Sequence, residues 1–207
     1  MSLNEDRDYF YEQQAAQEEF IEEISRQAIY EFTNERLQSL YVKNPDVMVK
    51  AIDLYKKGKA LQEIKYYSAA VVFFMSAIEN FLKLTLIKPV VYGLVHHETL
   101  AGIIVEQTMR QQSNFDSYRD LLKKLFSTLT NENTNEIYRE GASKNLLKEC
   151  EDLQKLRNTI IHQGDDCEES AAKEAYQISE AVFKKIVMPM LHALNLTLEG
   201  NGVIKSF

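Results

Sequence analysis

Tryptophan is absent from this chain, and proline and glycine are scarce, at 3 and 7 of 207 residues. Short strands joined by tight turns would need more of both, so long helices with few connections are expected. Cysteine is nearly absent too. Cys150 and Cys167 fall on separate expected elements, suggest no disulfide framework, and read as free thiols of a reducing compartment. With no signal-like N-terminus, a cytoplasmic location is expected. No Gly-rich phosphate loop, internal repeat or low-complexity tract stands out. No metal-ligand cluster does either. His96-His97-Glu98 comes nearest, but adjacent histidines point in different directions and no further ligand is spaced to join them, so the triplet reads as a helix start. Neither a metal nor a cofactor is expected.

Positive charge is in deficit: 24 Lys and Arg stand against 31 Asp and Glu, a formal net charge of −7. That balance argues against a protein that coats nucleic acid electrostatically, but it leaves room for an enzyme with one small basic site. The acid is also uneven, with Glu5, Asp6, Asp8, Glu12, Glu18, Glu19, Glu22 and Glu23 crowded into the N-terminal segment. Hydrophobic residues at 45% and charged residues at 27% are ordinary globular values, enough for one domain with an appendage.

What the chain does have is helical periodicity. From about Asn4 to Tyr41, Phe20, Ile24, Ala28, Phe32 and the Leu37/Leu40 pair recur at intervals of three and four, with a polar opposite face. Such a stripe packs on its own domain or on a partner. Asn44-Pro45-Asp46 breaks this segment and starts a helix carrying Val47, Ala51, Leu54 and Tyr55, which ends near Gly58. The most apolar stretch, Tyr66 to Ile87, approaches membrane-spanning length. Ser68, Ser76, Glu79, Asn80 and Lys83 interrupt it, so it reads as a central core helix with Ala69, Phe73, Ala77, Phe81 and Leu84 on one face, and no membrane is expected. After the Pro89–Gly93 connection come a helix from about His97 to Gln111 and one that Asn114 or Asp116 can start, carrying Tyr118, Leu121, Leu122, Leu125 and Phe126. Residues 130–143 read as a polar loop, with Ser143 as N-cap for a helix from Lys144 to about Ile161. Gly164 suits its C-terminal stop. A last helix from Glu168 to about Leu194 is interrupted near Pro189. The expected organisation is an all-α chain: an N-terminal helical extension over 1–43, a four-to-five-helix bundle over 44–196, and a tail over 197–207.

Within that frame one stretch carries chemistry: Leu156-Arg157-Asn158-Thr159-Ile160-Ile161-His162-Gln163-Gly164. A guanidinium cannot lose its proton and gives two parallel hydrogen bonds to phosphate oxygens. An imidazole can give or take a proton near neutral pH. On an ideal helix Asn158 and His162 share a face, whereas Arg157 and His162 diverge by about 140°. Arg157 and His162 therefore converge only if the helix ends before His162 or if a second subunit contributes.

An Arg followed by Asn, with His five residues after the Arg at the end of a late core helix, resembles the R-x4-6-H signature of the HEPN superfamily. The preceding Ala-rich helix with an acid in its second half, Ser76-Ala77-Ile78-Glu79-Asn80, is similar to that family's pattern as well. The resemblance covers about residues 46–195. It implies a HEPN-like bundle that pairs as a homodimer, so that two Arg–His sets line one cleft. There RNA would be cut without a metal, by attack of a 2′-hydroxyl on the neighbouring phosphate. Arg157 and His162 would be catalytic, Asn158 would orient a His or a phosphate, and Glu79 would hold Arg157 or Asn158 in place. The family includes toxins and anti-phage effectors, which implies an antitoxin or regulatory protein as a further partner. One branch carries a Tyr two residues beyond the His; Gly164 stands there, so control by modification of such a Tyr is not implied. Other members lack nuclease activity and act as dimerisation or adaptor modules, which is the alternative reading.

The plainer roles of the same residues compete with this one. Arg157 could pair with Glu151 or Asp152, Glu79 with Lys83, and His162 could simply favour a helix C-terminus. Lys56, Lys57, Lys59 and Lys65, and Lys144, Lys148 and Lys155, form basic clusters that are either solvated faces or guides for RNA. Tyr66, Tyr67 and Tyr138 could stack on bases, although packing suits them too.

Overall fold

A computed structural model describes residues 23–24, 34–87 and 115–207. The expected 97–111 helix, the His96–Glu98 triplet and most of the N-terminal stripe lie outside the described residues. The chain divides into two compact units, Met1–Arg36 and Leu37–Phe207. In the first, the described residues are helical and Ile24 is exposed. The second begins at Leu37 rather than near residue 44, because Leu37 and Tyr41 are buried in its core.

The second unit is mostly helical. Residues 37–43 are helical and end at Asn44, whose side-chain amide and backbone N–H both donate to the Leu40 carbonyl, at 2.9 and 3.1 Å. A short 3₁₀ turn, Pro45–Met48, uses proline's fixed φ to lead into helix α1, Val49–Glu63. Lys65, at φ 65°, turns the chain into α2, Tyr67–Glu79. This helix is the central one of the unit, packed against α1 on one side and against two later helices on others. Its buried face is centred one residue from the expected one: Ala70, Val71, Phe74, Met75, Ala77 and Ile78 are buried, while Ala69 and Phe73 are only partly covered. A helix packed on several sides has no single apolar stripe, so periodicity alone places its face poorly. The α1–α2 approach depends on Gly58, where a Cβ would lie 2.8 Å from the Phe74 ring.

Beyond Glu79 the helix widens into a π-helical segment, Asn80–Ile87. After the undescribed stretch, α3 runs Phe115–Thr130 and buries Leu122, Leu125, Phe126 and Leu129. Helix α4, Leu146–Gln163, starts at Asn145, whose side chain accepts from the Lys148 N–H at 2.9 Å. Ser143 is thus not the cap. The Asn145 carboxamide reaches the orphan N–H of the first turn, and the chain just before it is held in place by the Leu146 N–H donating to the Ile137 carbonyl at 2.8 Å. At the other end Gly164, at φ 74°, stops the helix as expected. Helix α5, Glu169–Val182, passes through a five-residue π-helical segment, Phe183–Val187, into α6, Met188–Ala193. The interruption precedes Pro189 because the ring has no N–H to donate and crowds the carbonyl four residues earlier, which a wider turn relieves. Among the described residues no helix is long and apolar enough to cross a membrane.

The C-terminal residues, expected as a tail, form a hairpin: β1, Leu196–Leu198, pairs antiparallel with β2, Ile204–Ser206, in the register Leu196↔Ser206 and Leu198↔Ile204. Leu196 and Ile204 are buried, and Lys56 donates to the Gly200 carbonyl at 3.0 Å, which ties the hairpin to α1. Its turn requires Gly202, where φ is 95° and a Cβ would meet the Val49 backbone at 2.9 Å. Gly202→Ala is therefore expected to destabilise the protein by about 2 kcal/mol or more, from backbone strain and the clash together. A shift of the urea midpoint at unchanged slope would register this, and an unchanged midpoint would contradict it.

Candidate functional site

Arg157 sits three, four and seven residues after Gln154, Leu153 and Cys150, all buried, so it continues the inward stripe of α4. A guanidinium placed there needs a partner, and Glu79, at the end of α2, provides it: an Arg157 Nη2 N–H donates to Glu79 Oε1. Each side chain keeps about 20% of its surface exposed, so the pair is sheltered yet still reached by solvent. Arg157 Nε is buried without a hydrogen-bond partner. That nitrogen is closed to solvent, so a phosphate would have to meet the part of the guanidinium that remains exposed.

Lys83 joins this pair, and the sequence offered it only as an interruption of the apolar stretch or as a surface partner for Glu79. Burial pushes its ammonium below the ordinary lysine value, the Glu79 carboxylate opposes that shift and the Arg157 guanidinium adds to it. Two cations and one carboxylate thus share the α2–α4 junction. The π-helical segment that begins at Asn80 contains Lys83, so the widening of the helix lies directly beside the charged cluster.

The carboxylates that could have claimed Arg157 on its own helix are otherwise engaged. Glu151 is held by Arg119 and by Lys148 at 2.5 Å, and Asp152 by Lys144 at 2.6 Å and Lys155 at 3.6 Å. The hydrogen bond from Lys144 holds the Asp152 carboxyl below the usual range. Asn158 is half-buried one residue beyond Arg157.

His162 is exposed in the last turn of α4. The helix continues past it to Gln163, so Arg157 and His162 remain on one regular helix, about 140° apart around the axis and about 7.5 Å apart along it. The structure therefore brings Glu79, Lys83 and Arg157 together within the chain and leaves His162 facing solvent beyond them. Of the two ways for Arg157 and His162 to meet, an early helix end is removed, and within one chain the two stay apart.

The basic clusters are largely neutralised where they stand. Lys57 pairs with Asp53 at 2.8 Å, Lys59 lies 5.6 Å over the Tyr176 ring, and Lys144, Lys148 and Lys155 are ion-paired as above. Tyr66 and Tyr138 are exposed, whereas the Tyr67 hydroxyl donates to Glu169 at 3.2 Å. Both thiols are free; Cys150 is fully buried, and burial pushes its thiol far above the usual range, which makes it a packing residue. Among the described residues no group of His, Cys, Asp and Glu is arranged to hold a metal ion. No protein-family model, no curated protein and no solved structure matches this chain.

Proposed function

We propose that this protein is a metal-independent endoribonuclease of HEPN type that acts as a homodimer, in the role of a toxin or anti-phage effector restrained by a partner protein. The observation that carries the reading is the sheltered but still solvent-reached Glu79–Arg157 pair, whose arginine lies on the helix that also presents His162. Arg157 binds the scissile phosphate and stabilises the charge that builds on it. His162 moves the proton, taking it from the attacking 2′-hydroxyl or giving it to the leaving 5′-oxygen; a second His162 across the dimer cleft completes the pair of roles. Asn158, on the His162 face, orients the imidazole or the phosphate. Glu79 is a positioning residue: it fixes the guanidinium and touches no substrate. Lys83 adds positive potential beside it.

A second reading has its own observation in favour. The unbroken helix separates Arg157 from His162 within one chain, which a dimerisation or adaptor module would tolerate. Sedimentation equilibrium combined with cleavage of total cellular RNA separates the two. A dimer that cuts RNA, with cutting lost in Arg157→Ala, supports the nuclease. A folded dimer that binds partners and leaves RNA intact contradicts it.

A further inference from the structure

At the C-terminal end of α3 an open depression of about 550 Å³ is lined by Lys123, Lys124 and Ser127 from the helix and by Asn131, Asn133 and Asn135 from the loop that follows. Its lysines differ from four of the seven in the two basic clusters. Among the described residues neither Lys123 nor Lys124 is engaged by a carboxylate, whereas Lys57, Lys144, Lys148 and Lys155 all are. One acid, Glu132, shares the lining.

The loop is held in a set shape. Asn131 ends the helix in the left-handed region at φ 57°, its N–H donating to the Ser127 carbonyl at 3.0 Å. Asn133 accepts from the Asn135 N–H at 3.0 Å and donates to Glu136 at 3.3 Å, and the Thr134 beside it is buried. With Asn133 bracing the loop, the Asn131 and Asn135 carboxamides are left beside two uncommitted ammonium groups. Carboxamides both donate and accept, as the edges of unpaired bases and the 2′-hydroxyl demand, and lysine ammoniums meet phosphates as point charges.

We propose that this depression is a second contact for single-stranded RNA, in which Lys123 and Lys124 hold phosphates and the asparagines meet bases or ribose, away from the bonds being broken. The proposal rests on the ribonuclease reading for its choice of ligand. It also gives an acidic protein a local foothold on RNA that its net charge of −7 does not provide.

The test is fluorescence anisotropy of a labelled single-stranded oligouridylate, titrated with the full-length His162→Ala protein so that the probe survives. The comparison proteins carry Lys123→Gln with Lys124→Gln, or Asn135→Ala, in the same background. Lys124, Asn135 and His162 are exposed and Lys123 is half-buried. Loss of two phosphate contacts should weaken binding on the order of twentyfold in about 0.1 M salt and flatten the log–log salt dependence by about 1.4. Asn135→Ala should weaken binding without changing that slope. Unchanged affinity and slope in the lysine variant, with RNA still cut by the wild type, would overturn the depression and leave the nuclease reading standing. Lysine-dependent binding by a protein that never cuts would do the reverse. No binding by the His162→Ala protein would overturn both.

Discussion

Replacing His162 with alanine is expected to lower RNA cleavage by about 10²- to 10⁴-fold, the range attached to a positioned acid–base group. The fold should barely register the change. His162 is exposed at the last turn of α4, and surface substitutions of this kind usually stay within about 0.5 kcal/mol. The prediction is thus a dissociation: single-turnover cleavage collapses while the thermal midpoint and the circular dichroism spectrum stay put. Because a dimer cleft would hold two copies of His162, the loss should exceed that from removing one of two equivalent groups. A variant that unfolds, or one that cuts at the wild-type rate, would contradict the assignment.

The second large effect concerns Glu79. Glu79→Ala leaves the Arg157 guanidinium sheltered without its carboxylate, which should cost about 1–3 kcal/mol of stability, less than for a fully buried pair because each side chain keeps some solvent contact. Cleavage should fall further than that loss explains, by about 10²-fold, since a guanidinium displaced by about an ångström no longer meets the phosphate. Glu79→Gln separates the contributions. Its carbonyl can still accept from Arg157, so positioning should be partly retained and activity should lie between the wild type and the alanine variant. If Glu79→Ala changed stability alone, with activity per folded molecule intact, Glu79 would be a packing partner and nothing more. Lys83 offers a control, because it shares the cluster without pairing the guanidinium; Lys83→Met should raise the RNA concentration needed for half-maximal rate more than it lowers the maximal rate.

The helical class was legible because its signals are local and repeated. Proline and glycine were scarce, apolar residues recurred at three and four, and Gly164 sat where a left-handed stop belongs. Details that depend on the third dimension were not. Asn145 and Ser143 are both reasonable caps on paper, and only the chain path from Ile137 decides between them. The buried face of α2 shifted by one residue because neighbours press on it from several sides. The β1–β2 hairpin was invisible, since two three-residue strands carry too little alternation to register, and what fixes them is burial of Leu196 and Ile204 and the approach of Gly202 to Val49. In the candidate site, the types and spacing of Arg157, Asn158 and His162 could be read directly. The pairing of Glu79 with Arg157 spans 78 positions and came into view in the sequence only through a family likeness. Lys83 was passed over because a lone lysine in an apolar run looks like an interruption until its neighbours are known.

The most direct test of the account is the chemistry of the ends. Purified wild-type protein is incubated with a defined single-stranded RNA in EDTA, and the fragment termini are identified by mass spectrometry. Attack by the 2′-hydroxyl predicts 2′,3′-cyclic phosphate on one fragment and a 5′-hydroxyl on the other. Fragments ending in 3′-hydroxyl and 5′-phosphate, or intact RNA after incubation with a folded dimer, would contradict the nuclease assigned to Arg157 and His162.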